Sequence, residues 1–402
     1  MNRVVITGIG VVSPVGCVLD QFWSALVEGR SGIRPIENIP TRRLNTRIAA
    51  QVIDFDPEAH FEPRRVGQLD RFTQFAVVAA RSAVRDSGLA IDEAHALDAA
   101  TIIGTGIGGQ TTADESYLKF YGENSPKVHP LTIPRLMPNA AASQISMDLG
   151  LKGPTYSIVS ACASGTHAIG QAFQMVRLGQ APFAIAGGSE ACLAVGTIKA
   201  WEALRILSND TCRPFSKNRS GLVLGEGAAI LVLEARERAI ARGARIYAEL
   251  KGFGMSADAA DLIAPDLDGA VRAMRSALHD ARANPEDIDY VNAHGTGTTL
   301  NDRTETKALR STFGNHATSL AVSSNKGVLG HGLGCAGAFE AAATALALHT
   351  QTAPPTANFT EKDPECDLDF VPNVARKLAI RAAISNSFAF GGLNAVLVMG
   401  KA

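Results

Sequence analysis

One cysteine, two histidines, a lysine and a glutamate, each in small-residue surroundings, give this 402-residue chain the groups for nucleophilic chemistry. Cys162 lies in Ser157-Ile-Val-Ser-Ala-Cys-Ala-Ser-Gly-Thr-His167. There a strand-like run, Tyr156 to Val159, gives way to small residues and then to a helical pattern from Ala163 to Leu178. The spacing predicts the thiol at a strand-to-helix turn, where unpaired N–H groups and the positive end of the helix dipole favour a thiolate. That is the arrangement of a nucleophile elbow built on cysteine, with small neighbours leaving room for a bulky substrate. A buried structural cysteine is the plain alternative.

The histidines come much later. His294 follows a strand-like run in Val291-Asn-Ala-His-Gly-Thr-Gly-Thr298, at the kind of strand end that favours catalytic groups. Gly295 and Gly297 leave space beside the imidazole, and Thr296 and Thr298 offer hydroxyls; a satisfied loop histidine is the plainer reading. Lys326 and His331 bracket a second turn, in Ser323-Ser-Asn-Lys-Gly-Val-Leu-Gly-His-Gly-Leu-Gly-Cys-Ala-Gly337, just before an Ala-rich helix. Glu340 in that helix is either a stray surface acid or a buried partner that orients Lys326. The last loop, Ser385-Asn-Ser-Phe-Ala-Phe-Gly-Gly-Leu-Asn394, is either ordinary core or a mobile aromatic gate.

Other motifs lead elsewhere. Gly8-Ile-Gly-Val-Val-Ser13 has the start of a dinucleotide fingerprint but lacks the third glycine and a distal acid. Gly104-Thr-Gly-Ile-Gly-Gly109 has the wrong glycine spacing. No HExxH or cysteine quartet points to zinc. Asp148, Glu190 and Asp302 read as structural or loop acids rather than a paired-carboxylate hydrolase site. The formal net charge of −1 and 19% charged residues speak against a dedicated nucleic-acid binder, although a local basic patch for an acidic partner stays open. Cys17, Cys162, Cys192, Cys212, Cys335 and Cys366 form no CxxC pair, which suits a reduced, cytoplasmic setting. The N-terminus reads as a strand rather than a signal peptide, and no run approaches a membrane span.

Strand-like runs at Arg3–Thr7, Ala100–Ile103, Thr155–Val159, Phe183–Ala186, Ala228–Leu233, Ala248–Phe253, Asp289–Val291, Leu320–Ser323, Ala382–Ser385 and Ala395–Met399 must position these groups. Helical periodicity separates many of them, at Phe72–Ser87, Ala163–Leu178, Gly269–Ala283, Glu305–Phe313 and Ala336–His349. This alternation predicts α/β layers with buried, mostly parallel strands. The order of elements also repeats. A helix, a strand and a Gly-rich loop are followed by a strand, a small-residue loop and a helix, once around Cys162 and once around Lys326 and His331. The expectation is a pseudo-symmetric duplication, residues 1–242 carrying the cysteine and residues 243–402 both histidines. A basic helix at Ala235–Arg245 would be the join.

The Cys turn, the NAHGTGT histidine, the Lys-Gly-x-x-Gly-His run and the terminal Phe-Gly-Gly-x-Asn loop, in this order, resemble the elongating β-ketoacyl-acyl carrier protein synthases of the thiolase superfamily. The resemblance covers essentially the whole chain, and the two histidines set it apart from the Cys-His-Asn type that starts chains from acyl-CoA. It implies a thiolase-like αβαβα layered fold and a decarboxylating Claisen condensation. Cys162 would carry the acyl chain as a thioester. His294 and His331 would assist loss of carbon dioxide from malonyl-carrier protein and stabilise the enolate, with Lys326 and Glu340 holding the site together. Backbone N–H groups of Cys162 and Phe390 would form the oxyanion hole, Thr296 and Thr298 would bind the pantetheine arm, and Phe390 would be the gate.

The resemblance further implies no metal and no dissociable redox cofactor, an acidic acyl carrier protein as partner, and a homodimer joined near Tyr156–Val159. A heterodimer with a paralogous synthase is the variant. Arg64, Arg65, Arg71, Lys127 and Arg213 are the docking candidates. The gate departs from the common Gly-Phe-Gly-Gly-Thr-Asn: here it is Ala389-Phe-Gly-Gly-Leu-Asn394, and Ala389 should restrict the backbone before the gate. Lys199-Ala-Trp-Glu-Ala-Leu204, Asp210-Thr-Cys-Arg-Pro-Phe215 and Pro355-Thr-Ala-Asn-Phe359 resemble the rhizobial nodulation protein E branch, which makes unusual acyl chains. A degradative thiolase would want a cysteine in the last loop, and a non-catalytic chain-length factor would lack Cys162.

Overall fold

A computed structural model describes residues 1–93 and 95–402. Its main sheet has ten strands. In chain order they are β1 Val4–Val12, β2 Ala100–Gly104, β3 Thr155–Ile158, β4 Phe183–Glu190 and β5 Gly227–Ala235. Then come β6 Ala248–Ala257, β7 Tyr290–Asn292, β8 Ala321–Ser323, β9 Ala382–Ala389 and β10 Leu393–Gly400. The spatial order is β8-β7-β9-β10-β6-β1-β5-β4-β2-β3. Read inward from either edge, each half has the order third, second, fourth, fifth, first. The duplication expected from the element pattern is therefore present in the topology. The halves meet where β1 pairs antiparallel with β6, Val4 opposite Leu250 and Ile6 opposite Ala248.

The strands are not mostly parallel as the pattern suggested. In each half the three outer strands pair in parallel, β3-β2-β4 and β8-β7-β9. The inner pairings, β4-β5, β5-β1, β9-β10 and β10-β6, are antiparallel. Both faces of the sheet are covered by helices, so inner strands read as continuous apolar runs whatever their direction, and direction is not legible from hydrophobicity.

Helix α1 (Arg71–Ser87) covers the outer face of the first half-sheet. Helices α4 (Leu267–Ala281) and α5 (Thr299–Phe313) form the outer layer of the second half. Between the half-sheets lie α2 (Ser164–Arg177) and α6 (Ala336–Thr350). This is the αβαβα layering. In α6 every residue from Ala336 to Leu348 is buried, and its alanines and glycine let two sheets and a helix close on it. A Cβ on Gly337 would lie 2.0 Å from Thr166 Oγ1, so the Thr166 side chain at the start of α2 packs directly against the α6 backbone.

One local expectation changes. The basic segment after β5 is helical only over Arg236–Ala241, and Arg242 turns back to donate to Glu234. A Cβ at Gly8 or Gly10 would sit 2.2 or 1.9 Å from the Ala83 or Ala79 carbonyl of α1, so both glycines admit that helix. Gly252 and Gly254 in β6 meet Ala277 and Ala273 of α4 in the same way. Each half thus opens on a Gly-x-Gly strand that lets its outer helix approach the backbone, a repeat visible in sequence as Gly8-Ile-Gly10 and Gly252-Phe-Gly254.

Candidate active site

Cys162 lies in a short 3-10 turn, Ala161–Ala163, between β3 and the first residue of α2. Ala161 has φ +48°, a strained value for a residue with a Cβ. Ser164 Oγ holds the turn by accepting from the Ser160 N–H at 2.8 Å and donating to the Ala161 carbonyl at 2.7 Å. The elbow expected from the sequence is present, one turn ahead of the helix. Its electrostatics differ from the expectation. Burial pushes the Cys162 thiol up to about 12, opposed by the Lys326 charge and the Phe390 N–H and reinforced by Glu340 and Glu190. At this thiol burial therefore outweighs the pull of the helix end.

His294 and His331 are buried with ring centroids 5.4 Å apart and ring planes at 82°. The Leu333 N–H donates to His331 Nδ1 at 3.2 Å, which leaves the proton of the neutral ring on Nε2. Lys326 Nζ stands 3.5 Å from His294 Nδ1 and donates to the His294 carbonyl, so Nδ1 is the acceptor there too. Burial, then the Lys326 charge, hold both imidazoles well below their ordinary value. Both rings are thus neutral Nε2–H donors. Of the two readings of Glu340, the buried one holds. It pairs with Lys326, accepts from Ser387 Oγ at 3.4 Å, and is raised by burial to about 7.

Carboxylates absent from the sequence-level site set the histidine loops. Glu305 accepts the N–H groups of His294 (2.8 Å) and Gly295 (2.7 Å), and burial raises it to about 6. Asp302 accepts from the N–H groups of Phe215 (2.7 Å) and Gly297 (3.2 Å). Both come from α5, Asp302 four and Glu305 seven residues beyond Thr298; acids in the first two turns after a Gly-Thr-Gly loop were the available signal.

Cys162, His294, His331, Thr296, Thr298 and Phe390 line one cavity of about 260 Å³. The two threonine hydroxyls hydrogen-bond each other at 2.8 Å. Phe390 tops the three-residue loop of the β9–β10 hairpin and stacks on Trp201 with centroids 5.7 Å apart. Trp201, from helix α3 (Val195–Ala203), also lines the cavity and was not foreseen as a site residue. Ala389 pairs with Leu393 in the strand ladder, and the left-handed φ values fall on Gly391 (+82°) and Gly392 (+68°).

The docking candidates separate. Arg65 pairs with Asp148, Arg71 with Glu226 and Arg213 with Asp210. Arg64 and Lys127 are exposed and make no ion pair among the described residues, and so is Arg205, at the cavity mouth. No group of His, Cys, Asp and Glu side chains among the described residues is arranged to hold a metal ion, and no helix is long and apolar enough to cross a membrane.

Residues 1–239 match the family model "Beta-ketoacyl synthase, N-terminal domain" and residues 247–360 the corresponding C-terminal domain. A nodulation protein E of Rhizobium sp. (strain N33) is 47% identical over 396 residues, 98% of each chain. A 3-oxoacyl-[acyl-carrier-protein] synthase 2 of Coxiella burnetii is 45% identical over 408 residues, covering 100% of this chain and 99% of the relative. Among solved structures, the ishigamide ketosynthase/chain length factor aligns with TM-score 0.95 and 38% identity over 100% of this chain and 99% of that one. A type II PKS ketosynthase in complex with its acyl-carrier protein (AntDE:AntF) aligns with TM-score 0.89 and 31% identity, over 100% and 99%.

Proposed function

The chain belongs to the β-ketoacyl synthase family, and from that premise we infer that it elongates acyl chains by decarboxylating Claisen condensation at Cys162. The observation that carries the reading is the single cavity in which the thiol faces two neutral imidazole donors. The Cys162 sulfur takes the acyl group from acyl carrier protein and the carrier's thiol leaves with the proton. Malonyl-carrier protein then enters. Its carboxylate leaves as carbon dioxide, and the electron pair passes into an enolate whose oxygen accepts from His294 and His331 Nε2–H. The enolate carbon attacks the thioester, and Cys162 departs as the 3-oxoacyl-carrier product forms. A thiolate serves both as nucleophile and as leaving group. An aligned donor to a developing oxyanion contributes ~3 kcal/mol. The Phe390 N–H, which works against the rise that burial imposes on the Cys162 thiol, supports an oxyanion-hole role shared with the Cys162 N–H. Lys326 and Glu340 fix the donors, and no metal or redox cofactor enters any step.

Thr296 and Thr298, on the wall of the cavity, suit the amide-rich pantetheine arm. Arg64, Lys127 and Arg205 are free to meet an acidic carrier, while Arg65 and Arg213 would first have to leave their carboxylate partners. The apolar side chains of Met147 (66% exposed) and Val159 (54%), beside the β3 edge, support a homodimer across that edge, or a heterodimer with a paralogue. Six free cysteines suit the cytoplasm.

The test is mass spectrometry of the protein mixed with acyl-carrier protein. An acyl adduct confined to Cys162 supports the reading; acylation elsewhere, or none over a range of chains, ends it. A specialised acyl pathway is the second reading, favoured by Trp201 against the gate in the segment that resembles nodulation protein E. A panel of acyl-carrier proteins differing in length and unsaturation separates it from general elongation.

A further inference from the structure

Glu190 ends β4 with no exposed surface. Its carboxylate partners are backbone N–H groups and a hydroxyl rather than a cation. Oε2 accepts from the N–H groups of Gly106 (2.6 Å) and Gly334 (2.9 Å). Oε1 accepts from the Ile107 N–H (3.3 Å) and Thr105 Oγ1 (3.1 Å). Gly106 and Ile107 belong to the Gly104–Gly109 loop of the first half, whereas Gly334 follows His331 in the second. A buried carboxylate is costly to leave unpaired, so these N–H groups are held to it tightly.

The backbones around Glu190 meet without side chains. A Cβ on Gly334 would lie 2.1 Å from the Gly106 nitrogen. One on Gly104 would lie 2.3 Å from the Ser164 carbonyl carbon, at the start of α2. One on Gly188 would lie 2.7 Å from the Gly334 oxygen and 3.2 Å from Gly165 Cα. The Glu190 strand, the start of the Cys162 helix and the His331 loop therefore form one rigid contact.

Next to Gly334 stands Leu333, at φ +47°, a strained conformation for a residue with a Cβ. Its N–H is the one that donates to His331 Nδ1. The backbone of His331 is fixed separately, by bonds to Val223 (2.6 Å) and Gly225 (2.9 Å). Those bonds place the residue but leave the ring to Leu333. We propose that Glu190 is a positioning residue for the condensation: by holding Gly334 against the Gly104–Gly109 loop it keeps Leu333 in its strained turn, its N–H on His331 Nδ1, and the Nε2–H of His331 as the free donor.

The functional part of this inference rests on the condensation reading; the tautomer part does not. The test uses Glu190→Gln, which keeps size but turns an NH2 toward one of the backbone donors. In protein labelled with ¹⁵N at histidine, the His331 signals, assigned by their loss in His331→Gln, should leave the Nε2–H pattern. Decarboxylation of malonyl-carrier protein at saturation should fall about tenfold or more while Cys162 acylation changes less than about twofold. Glu190→Asp, which keeps the charge but shortens its reach to the Gly334 N–H, should give the same split and carries the test if Glu190→Gln does not fold. Unchanged His331 signals, or decarboxylation and acylation falling together, would overturn the proposal. If the unaltered enzyme proves not to condense acyl chains, the condensation reading fails, and the His331 signals still decide whether Glu190 sets the ring.

Discussion

The Leu333 N–H donates to His331 Nδ1 at 3.2 Å, and this one bond decides which nitrogen of the ring faces the reaction. A neutral imidazole whose Nδ1 accepts carries its proton on Nε2. The neutral His331 ring that lines the cavity is therefore an N–H donor through Nε2 and not an acceptor there.

His331→Gln places an amide nitrogen near the position of Nε2, and His331→Asn places it near Nδ1. The Gln variant should keep part of the malonyl decarboxylation; the Asn variant should lose ~10²–10³-fold in kcat. Steady-state release of carbon dioxide measures both. Equal losses would remove the Nε2–H donor from the mechanism.

The pH dependence of stability follows from both histidines lying well below the ordinary value of 6.5. Below about pH 6.5 the unfolded chain binds more protons than the native one, so stability falls as pH drops, by up to ~1.4 kcal/mol per pH unit for each ring. Glu190 and Glu340, raised to about 7, act in the opposite sense, their native forms binding more protons between the ordinary carboxyl value and about 7. The readout is therefore the difference between the unaltered protein and His294→Gln/His331→Gln, whose acid limb in urea titrations should be flatter.

Lys326 and Glu340 are 2% and 3% exposed. Lys326→Met leaves a lone buried carboxylate and should cost about 3–5 kcal/mol. Lys326→Met/Glu340→Leu should recover much of that stability and none of the condensation activity. Denaturant midpoints and product formation check the two halves of this prediction.

The gate should tolerate change at one glycine-flanking position and not at the next. Ala389→Gly replaces an extended strand residue and should alter Cys162 acylation by less than about threefold. Gly391→Ala puts a Cβ at φ +82°, costs about 1 kcal/mol or more, and should slow acylation measurably. Stopped-flow acyl transfer distinguishes them.

Gly10→Ala and Gly254→Ala probe the duplicated helix–strand contacts. Their Cβ atoms would lie 1.9 and 2.3 Å from helix carbonyls. Each should destabilise by about 3 kcal/mol or prevent folding. A Tm within a degree or two of the unaltered protein would show that the helices can retreat.

The chemistry was written locally. Cys162, His294, Lys326, His331 and the Phe390 loop each sit in a run whose glycines and small residues announce a tight turn, because backbone freedom and steric room are properties of neighbouring residues. The αβ alternation and its repetition were legible for the same reason: periodicity is a short-range signal. Strand direction was not, since strands covered on both faces look alike whichever way they run. Nor was the state of the groups. That Glu340 pairs with Lys326, that Arg65 and Arg213 are already engaged, that Trp201 lies on Phe390, and that burial raises the Cys162 thiol all depend on residues distant in the chain. The sequence supplied the reacting atoms. Packing alone decided which donor each one faces, because burial and through-space charge are set by the fold and not by the neighbouring residues in the chain.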